Sequence, residues 1–304
     1  MRILVTGVSG FVGGRLAPRL IADGHEVRGI SRQAVATAAG VSVAQADVVS
    51  GEGLAAALED IEVAYYLIHS MEASSDGAFQ AREQRAAHNF VRAARRAGVR
   101  RIVYLGGIVP AGRPTSPHLA SRLAVEKVLL GATEDSVAFR ASIVIGARSR
   151  SFRFLVRLVE RLPVLVVPAW RHHRTAPIDQ RDVIEFLARA ADRPQLAGRS
   201  LDIAGPDEVS YGELIDLIGD EMLVNRPTVC LPRITATPIA SRISSVIAGE
   251  DWELIGPLME GLGSDLLPRD REAGELLGIR VRPLRRAIAS ALREWEQAEP
   301  LRAR

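Results

Sequence analysis

The sequence predicts an α/β fold, in which helices cover both faces of a doubly wound parallel sheet of about seven strands. Two observations lead to this prediction. Apolar, β-branched runs alternate with segments of helical periodicity through the first part of the chain, and this rhythm breaks after residue 145. With 304 residues, 47% of them hydrophobic, the chain is long enough for a full core. We therefore expect a Rossmann-like sheet followed by a smaller, mostly helical C-terminal lid.

The first part of the chain supplies most of the predicted sheet. Short apolar runs predict strands at 2–6, 26–30, 41–46, 63–68, 101–106 and 137–144. Amphipathic segments between them predict helices near 11–23, 53–59, 77–97 and 118–131. Gly98 follows the longest of these helices, where a helix C-cap is expected. Strand–helix–strand alternation implies right-handed crossovers and parallel strands.

The second part of the chain predicts one more strand of the sheet and the lid. A helix near 150–161 and the apolar run VLVV (164–167) come first. Asp182 is expected to cap a helix that runs to about 191, and RSLDIAG (199–205) is expected to return to the sheet. Ser210 and Glu213 form the pattern of a capping box.

The remaining residues predict helices broken by prolines and no strong strand. We therefore assign residues 1–149 and 176–204 to the sheet domain, and residues 150–175 and 205–304 to the substrate-binding lid.

Composition excludes several classes of function. The net charge of +3 is small and its arginines are scattered, which argues against a nucleic-acid partner. The single cysteine, Cys230, excludes an intramolecular disulfide and fits a reducing cytoplasm. No leader-like segment opens the sequence, and no uninterrupted apolar run reaches the ~18 residues of a membrane span. We expect a cytoplasmic protein with a small-molecule partner, and the sequence leaves its oligomeric state open.

The stretch VTGVSGFVGG, residues 5–14, has the pattern of a phosphate-binding turn. Gly7 permits a tight turn, Gly10 lets the backbone approach a diphosphate, and Gly13 allows a helix to pack closely on the sheet. The helix that follows directs its free N–H groups at the phosphates. The preceding strand and the following helix favour a dinucleotide site over a turn that has kept its shape and lost its ligand.

The spacing TGxxGxxG resembles the short-chain dehydrogenase/reductase superfamily, in its extended and atypical branches. The similarity continues through ADV (46–48), YYLIHSM (65–71), RIVYLGG (101–107), ASIVIG (141–146) and AGPDEVSYGEL (204–214). It therefore covers most of the chain. The chain most resembles the NmrA-like NAD(P)H-binding proteins, which are often described as nucleoside-diphosphate-sugar epimerases.

The end of the second strand bears on which dinucleotide is bound. An NAD site places a carboxylate there to hold the ribose 2′-hydroxyl. This sequence has Ser31 in that position and Arg32 next to it, so a guanidinium is available for a 2′-phosphate. The pattern favours NADP(H) over NAD(H), although Arg32 could also be an ordinary surface arginine.

The resemblance also implies which residues contact the dinucleotide. Asp47 and Val48 would lie at the adenine, and Ser142, Ile143 and Val144 would flank the nicotinamide. The other expected contacts are Thr6, Gly7, Ser9, Gly10, Phe11, Val12, Gly13, Ser31, Arg32, Ile68, His69, Ser70 and Arg122.

The catalytic pattern of the resembled family is absent. Its dehydrogenases use a Tyr-x-x-x-Lys pair and a Ser or Thr at the end of the fifth strand. Here that strand ends in Gly106 and Gly107, and the only lysine, Lys127, follows Leu123 by four residues. Alignment places His118 in the tyrosine slot and Arg122 in the lysine slot, four residues apart on one helix face.

These replacements leave alternatives open. Arg122 could bind ribose hydroxyls, and His118 could donate a proton, or it could simply begin the helix. His69 could line the site or be structural. RHHR (171–174) could form a basic rim for an anionic substrate, and a metal site is not predicted. Glu126 and Lys127 are expected to be solvated.

The sequence thus favours an NADP(H)-dependent oxidoreductase of the atypical class. Its substrate would be a small organic molecule such as a quinone, enone or ketone, held under a lid in which Trp252, Leu258 and Met259 are candidate lining or core residues. The alternative is a non-catalytic NADP(H)-binding sensor, as the NmrA-like resemblance implies. A sugar-nucleotide epimerase or dehydratase is less favoured because that chemistry needs the acid–base tyrosine.

Overall fold

A computed structural model describes residues 1–68, 78–110, 117–231 and 263–301. Its centre is a sheet of seven parallel strands in the order β11-β6-β5-β4-β1-β2-β3. These strands are β1 (Arg2–Thr6), β2 (Glu26–Ser31), β3 (Val41–Gln45), β4 (Val63–Tyr66), β5 (Arg101–Gly107), β6 (Val137–Ala141) and β11 (Ser200–Ile203). The predicted α/β class and the predicted return of the 199–205 segment to the sheet are confirmed.

Helices pack on both faces of this sheet. Those described are α1 (Gly13–Ala22), α2 (Leu54–Leu58), α3 (Ala78–Arg96), α4 (Pro117–Leu130), α5 (Arg150–Arg161), α6 (Gln180–Arg189), α7 (Tyr211–Glu221), α8 (Glu272–Leu277) and α9 (Leu284–Ala298). Helices α1 and α6 share one apolar core with Tyr65, and α2, α3 and α4 share another with Tyr66. Successive residues of a strand point to opposite faces, so β4 contributes to both cores.

A third core lies among the helices that follow the sheet. It joins α5, α7 and α9 through residues such as Phe152, Ile215 and Trp295. Beside it, β8 (Leu165–Pro168) pairs in parallel with β13 (Thr228–Leu231), a strand that the sequence did not predict. No helix in the described ranges is both long and apolar enough to cross a bilayer.

The predicted strand 137–144 is interrupted. The backbone leaves the sheet after Ala141 and forms a separate two-residue strand, β7 (Val144–Ile145), which pairs with β10 (Ile178–Asp179). The amide of Ser142 donates to the carbonyl of Ile203 at 3.2 Å. This break turns the chain out of the central sheet toward α5.

The predicted cap of α6 is wrong by three residues. Asp179 is the N-cap, and its carboxylate accepts a hydrogen bond from the amide of Arg181 at 2.8 Å. Asp182 lies in the first turn, fully buried, and forms an ion pair with Arg282. Both aspartates lie at the start of the same helix, and the partner of Asp182 is 100 residues away, so the sequence does not separate their roles.

Candidate functional site

The strand order reverses at β1. Strands β2 and β3 lie on one side of it, and β4, β5, β6 and β11 lie on the other. The crevice at the carboxyl ends of the strands flanking such a reversal is the ligand site of open α/β sheets. The register pairs Thr6 with Ile30 and Val5 with Tyr65. The glycine turn therefore emerges at this crevice.

The turn has the shape of a phosphate cradle. Gly7 has a positive φ of 63°, and its carbonyl accepts a hydrogen bond from the amide of Gly10 at 2.8 Å. A Cβ at Gly13 would overlap the Gly7 carbonyl and lie 3.0 Å from Cα of Val8. Helix α1 begins at Gly13 with no side-chain cap on its N-terminus. A close backbone approach at an uncapped positive helix end fits the diphosphate of a dinucleotide.

Val8 and Gly29 hold this turn against β2. Val8 is 2% exposed, and a Cβ at Gly29 would lie only 2.5–2.9 Å from its side-chain carbons. Gly29 therefore leaves the space that Val8 fills. The sequence analysis missed this pair, although a glycine inside an apolar strand is a known signal of close approach.

The predicted turn residues divide into two groups. Thr6 is fully buried, and its hydroxyl accepts a hydrogen bond from the amide of Leu67 at 2.8 Å, which ties β1 to β4. Ser9 and Gly10 are exposed, whereas Phe11 and Val12 are half-buried. Thr6 thus orders the crevice, and the later residues form its accessible wall.

At the end of β2, Arg32 is exposed and Ser31 is half-buried. The carbonyl of Arg32 accepts a hydrogen bond from Nε2 of Gln45 at 3.2 Å, which fixes the backbone. Within the described ranges the Arg32 guanidinium has no ion-pair partner. Because its backbone is fixed and its guanidinium has no partner in the described ranges, Arg32 can bind an anion at this end of β2.

The adenine-side candidates follow β3. The Asp47 carboxylate accepts a hydrogen bond from the amide of Val49 at 2.7 Å, and this contact builds the turn after the strand. Val48 is buried, and its carbonyl accepts a hydrogen bond from Nδ2 of Asn89. The half-buried Asp47 and its turn thereby form a fixed edge of the crevice.

The remaining predicted contacts follow β4 and β6. Ile68 is half-buried after β4, whereas His69 and Ser70 lie outside the described residues. Ser142 is buried, and its hydroxyl shares a 2.9 Å hydrogen bond with that of Thr175. Ile143 and Val144 are half-buried beyond it. The carboxyl ends of β4 and β6 lie at the same edge as the glycine turn because all the strands of the sheet are parallel.

Arg122, in the slot of the family lysine, is buried on α4. Its positive charge acts on the hydroxyls of Tyr66 and Tyr104, although burial still raises the pKa of Tyr104 to about 12. The next residue back, Ser121, donates a 2.7 Å hydrogen bond to the buried Glu83. His118 is the second residue of α4, and its side chain lies outside the described part of the chain.

Tyr104 also occupies the space beside Gly106, where the family has a hydroxyl side chain. A Cβ at Gly106 would lie 2.8 Å from Cε1 of Tyr104 and 3.2 Å from its hydroxyl. The ring is 1% exposed. The end of β5 is thus filled by a covered phenol, which remains protonated at neutral pH.

The expectation that Glu126 is solvated is wrong. Glu126 is 3% exposed and accepts hydrogen bonds from Nε of Arg140 and the hydroxyl of Ser200, each at 2.7 Å. Its neighbour Lys127 is exposed, as predicted. Glu126 therefore joins α4 to β6 and β11 beneath the site.

Two residues of the RHHR segment (171–174) lie close to carboxylates. Nδ1 of His173 lies 3.4 Å from the carboxylate of Asp265, and the Arg174 guanidinium lies 3.4 Å from that of Glu208. In the part of the chain that the structure describes, no group of three or more His, Cys, Asp and Glu residues could hold a metal. Trp252, Leu258 and Met259 lie outside that part.

Comparison with known proteins identifies the family that this site belongs to. The model of the NAD dependent epimerase/dehydratase family matches residues 3–204, which include the glycine turn and all seven strands of the central sheet. The chain belongs to this family. The resemblance to the extended and atypical short-chain dehydrogenases/reductases is thereby confirmed, and the narrower NmrA-like relation stays a prediction.

One curated relative is the photosystem II assembly factor Ycf39 of Synechocystis sp. It is 22% identical over 229 residues, which are 71% of this chain and 66% of that protein. The chain therefore aligns with slightly less than two thirds of this relative's length.

Solved structures share the fold over nearly the whole chain. UDP-glucuronic acid 4-epimerase from Bacillus cereus, in complex with UDP-glucuronic acid and NAD, superposes with a TM-score of 0.75 at 16% identity. UDP-glucose 4-epimerase from Thermotoga maritima, with UDP-glucose, gives 0.76 at 14% identity. Each alignment covers 98% of this chain and 99% of the other. At these identities the likeness establishes the fold alone.

Proposed function

We propose that this chain binds NADP(H) at the reversal of its strand order and acts as an oxidoreductase on a small organic substrate. The observation that carries the proposal is the close contact of Gly13 with the Gly7 carbonyl beneath an uncapped α1. Membership of an NAD dependent family supports a nicotinamide dinucleotide as the ligand. The dinucleotide would supply or accept hydride.

The proposed contacts follow from this arrangement. Gly10 and the start of α1 would hold the diphosphate, and Arg32 would pair with the 2′-phosphate. Asp47 and Val48 would lie at the adenine, and Ile143 and Val144 at the nicotinamide. Ser142 would position this last segment through its bond to Thr175.

The proposed substrate class follows from the absence of the family's acid–base tyrosine on α4. Tyr104 is covered and burial raises its pKa to about 12, which makes it a poor proton donor to a substrate oxygen at neutral pH. A quinone, enone or ketone whose reduced anion is stable, or which takes its proton from water, tolerates this loss. The side chain of His118 remains the candidate proton donor.

A non-catalytic dinucleotide-binding role is the second candidate. It is favoured by the missing Tyr-x-x-x-Lys pair and by Arg122, which is buried beside Tyr104. An epimerase or dehydratase acting on a sugar nucleotide ranks third. The solved structures support that fold, but the acid–base tyrosine of that chemistry is absent from α4.

Binding and turnover measured on the same preparation separate these candidates. NADPH binding is followed by its fluorescence, and NADPH oxidation at 340 nm is followed with a panel of quinones, enones and ketones. The proposal expects saturable binding together with turnover on at least one acceptor. NADPH binding without NADPH oxidation on any acceptor, with the same binding affinity in His118→Ala, would favour the non-catalytic role. Absence of NADPH binding would refute both the enzymatic and the non-catalytic role.

The choice of NADP(H) over NAD(H) is tested at Arg32. Arg32→Asp places a carboxylate where the 2′-phosphate would lie, so we expect NADPH affinity to fall at least tenfold while NADH affinity changes little. Arg28→Asp is unsuitable as a control because that guanidinium donates to the carbonyls of Ala57 and Glu59. The control is Arg96→Asp in the last turn of α3, because Arg96 is exposed and has no ion pair or side-chain hydrogen bond among the described residues. Equal weakening of both cofactors in Arg32→Asp would contradict the assignment.

A further inference from the structure

A basic groove lies between the N-terminus of α6 and the exposed face of α9. It encloses a cavity of about 420 Å³, and its charged lining consists of four arginines: Arg181, Arg282, Arg286 and Arg293. Ser290 and Pro283 complete the walls between them. The family match ends before α9, and none of the residues proposed to hold the dinucleotide lines this groove, so neither explains its four arginines.

Two of the four arginines are already neutralised. Nε of Arg181 donates to the Asp179 carboxylate at 3.0 Å, and Arg282 forms an ion pair with Asp182. Both carboxylates are almost fully buried behind the groove. Their charges therefore cancel the positive charge of these two guanidinium groups and leave none for the other two.

Arg286 and Arg293 supply the excess. They stand seven residues apart on α9, which places them two turns apart on one face, and both are exposed. Within the described ranges neither forms an ion pair or a side-chain hydrogen bond. The nearest acid along the helix, Glu294, is committed to Arg15 and to Nε2 of Gln180. The groove thus carries a net charge of about +2 by this count.

The other face of α9 shows that this excess is local. Arg285 precedes Arg286 directly, and its guanidinium lies 3.2 Å from Asp220 and 3.3 Å from Glu221. Among the described residues, Arg285 thus has carboxylates beside it on one side of α9, whereas Arg286 and Arg293 have no paired carboxylate on the other. Both unpaired guanidinium groups line the same cavity, so an anion held there is attracted by both.

We propose that this groove binds a small ligand bearing one or two phosphate groups. Guanidinium groups form paired hydrogen bonds with phosphate oxygens, and a charge of −2 to −3 matches the unpaired Arg286 and Arg293. The starts of α6 and α9 flank the groove, but their first amides already donate to Asp179 and Asp207, so the positive charge of the groove comes from the arginines. The groove shares no lining residue with the glycine turn, and the inference does not depend on the proposed function.

Isothermal titration with sodium pyrophosphate, at constant ionic strength, tests this inference. The wild-type protein is expected to show saturable binding that the double variant Arg286→Gln/Arg293→Gln weakens at least tenfold. Arg285→Gln removes one charge from the other face of α9 and should change the affinity less than twofold, whereas Arg286→Gln, which also removes one charge, should weaken it at least threefold. Because all three residues are exposed, the variants are expected to keep the wild-type circular dichroism spectrum and melting temperature.

Three results would overturn the proposal. Unchanged pyrophosphate binding in the double variant would place the anion elsewhere, for example at the glycine turn. If Arg285→Gln and Arg286→Gln weakened pyrophosphate binding equally, the effect would come from the net charge of the protein and not from the groove. Binding to phosphatidylglycerol vesicles without any binding of pyrophosphate would replace the small ligand by a membrane surface.

Discussion

Two neighbouring residues of α4 make very different contributions to stability. The Glu126 carboxylate is buried against Arg140 and Ser200, whereas Lys127 is exposed. Glu126→Ala leaves the Arg140 guanidinium buried without its main partner, and we expect a loss of about 3–5 kcal/mol in the free energy of unfolding. Lys127→Ala is the matched control and should change it by less than about 0.5 kcal/mol. Urea denaturation measures both, and similar losses would contradict the buried pair.

The burial of Glu126 and the exposure of Lys127 could not be predicted from these two positions alone. Both are charged residues in the same helix, and nothing local distinguishes them. The partners that bury Glu126 are Arg140 on β6 and Ser200 on β11, both of which reach it only in the folded sheet. The glycine turn was predictable because its strand, its turn and its helix are contiguous in the chain.

At the scale of one element, the capping box of α7 links stability to pH. The Ser210 hydroxyl accepts a hydrogen bond from the amide of Glu213 at 3.1 Å, and the Glu213 carboxylate accepts one from the amide of Ser210 at 2.6 Å. This second bond favours the charged form and lowers the pKa of Glu213 below its usual 4.5. A lowered folded-state pKa means that the stabilisation is present above pH 4.5 and is lost as the pH falls through the folded pKa.

The prediction uses two variants of this box. Ser210→Ala should lower the free energy of unfolding by about 1 kcal/mol at neutral pH. Glu213→Gln should be destabilising at pH 7, and its deficit should shrink as the pH falls below 4.5 through the lowered pKa of the native carboxyl. Urea titrations over a series of pH values provide the measurement, and a Glu213→Gln deficit independent of pH would exclude the carboxylate as its source.

Elements were predictable where their determinants are local. The Ser210 box and the end of the long helix at Gly98 need only a few adjacent residues, and the structure has both where the sequence placed them. The break in the 137–144 strand, the choice of Asp179 over Asp182 and the pairing of Thr228–Leu231 depend on distant segments. Residues 137–144 resemble one strand in the sequence because most of them are apolar.

At the scale of the whole molecule, the lid region is joined to the sheet through charged contacts near the glycine turn. Glu294 of α9 pairs with Arg15 of α1 and accepts a hydrogen bond from Nε2 of Gln180 at 2.6 Å. The sequence predicted no contact among these three residues. Arg15 and Gln180 are 279 and 114 residues from Glu294 in the chain, and contacts over such separations produce no local sequence pattern. We propose that the two assigned domains behave as a single cooperative unit for this reason.

Trp295 reports on this cooperativity. It is 1% exposed in the lid core, with the guanidinium groups of Arg153 and Arg157 over its ring at 4.4 and 4.9 Å. In a Trp170→Phe/Trp252→Phe background, its fluorescence and the far-ultraviolet circular dichroism should change at the same urea concentration and with the same slope. Glu294→Ala, which removes a partly exposed pair, should lower both midpoints together by an amount equivalent to about 1 kcal/mol. If the fluorescence midpoint alone falls, α9 unfolds ahead of the sheet, and the contacts through Glu294 do not unite the two regions.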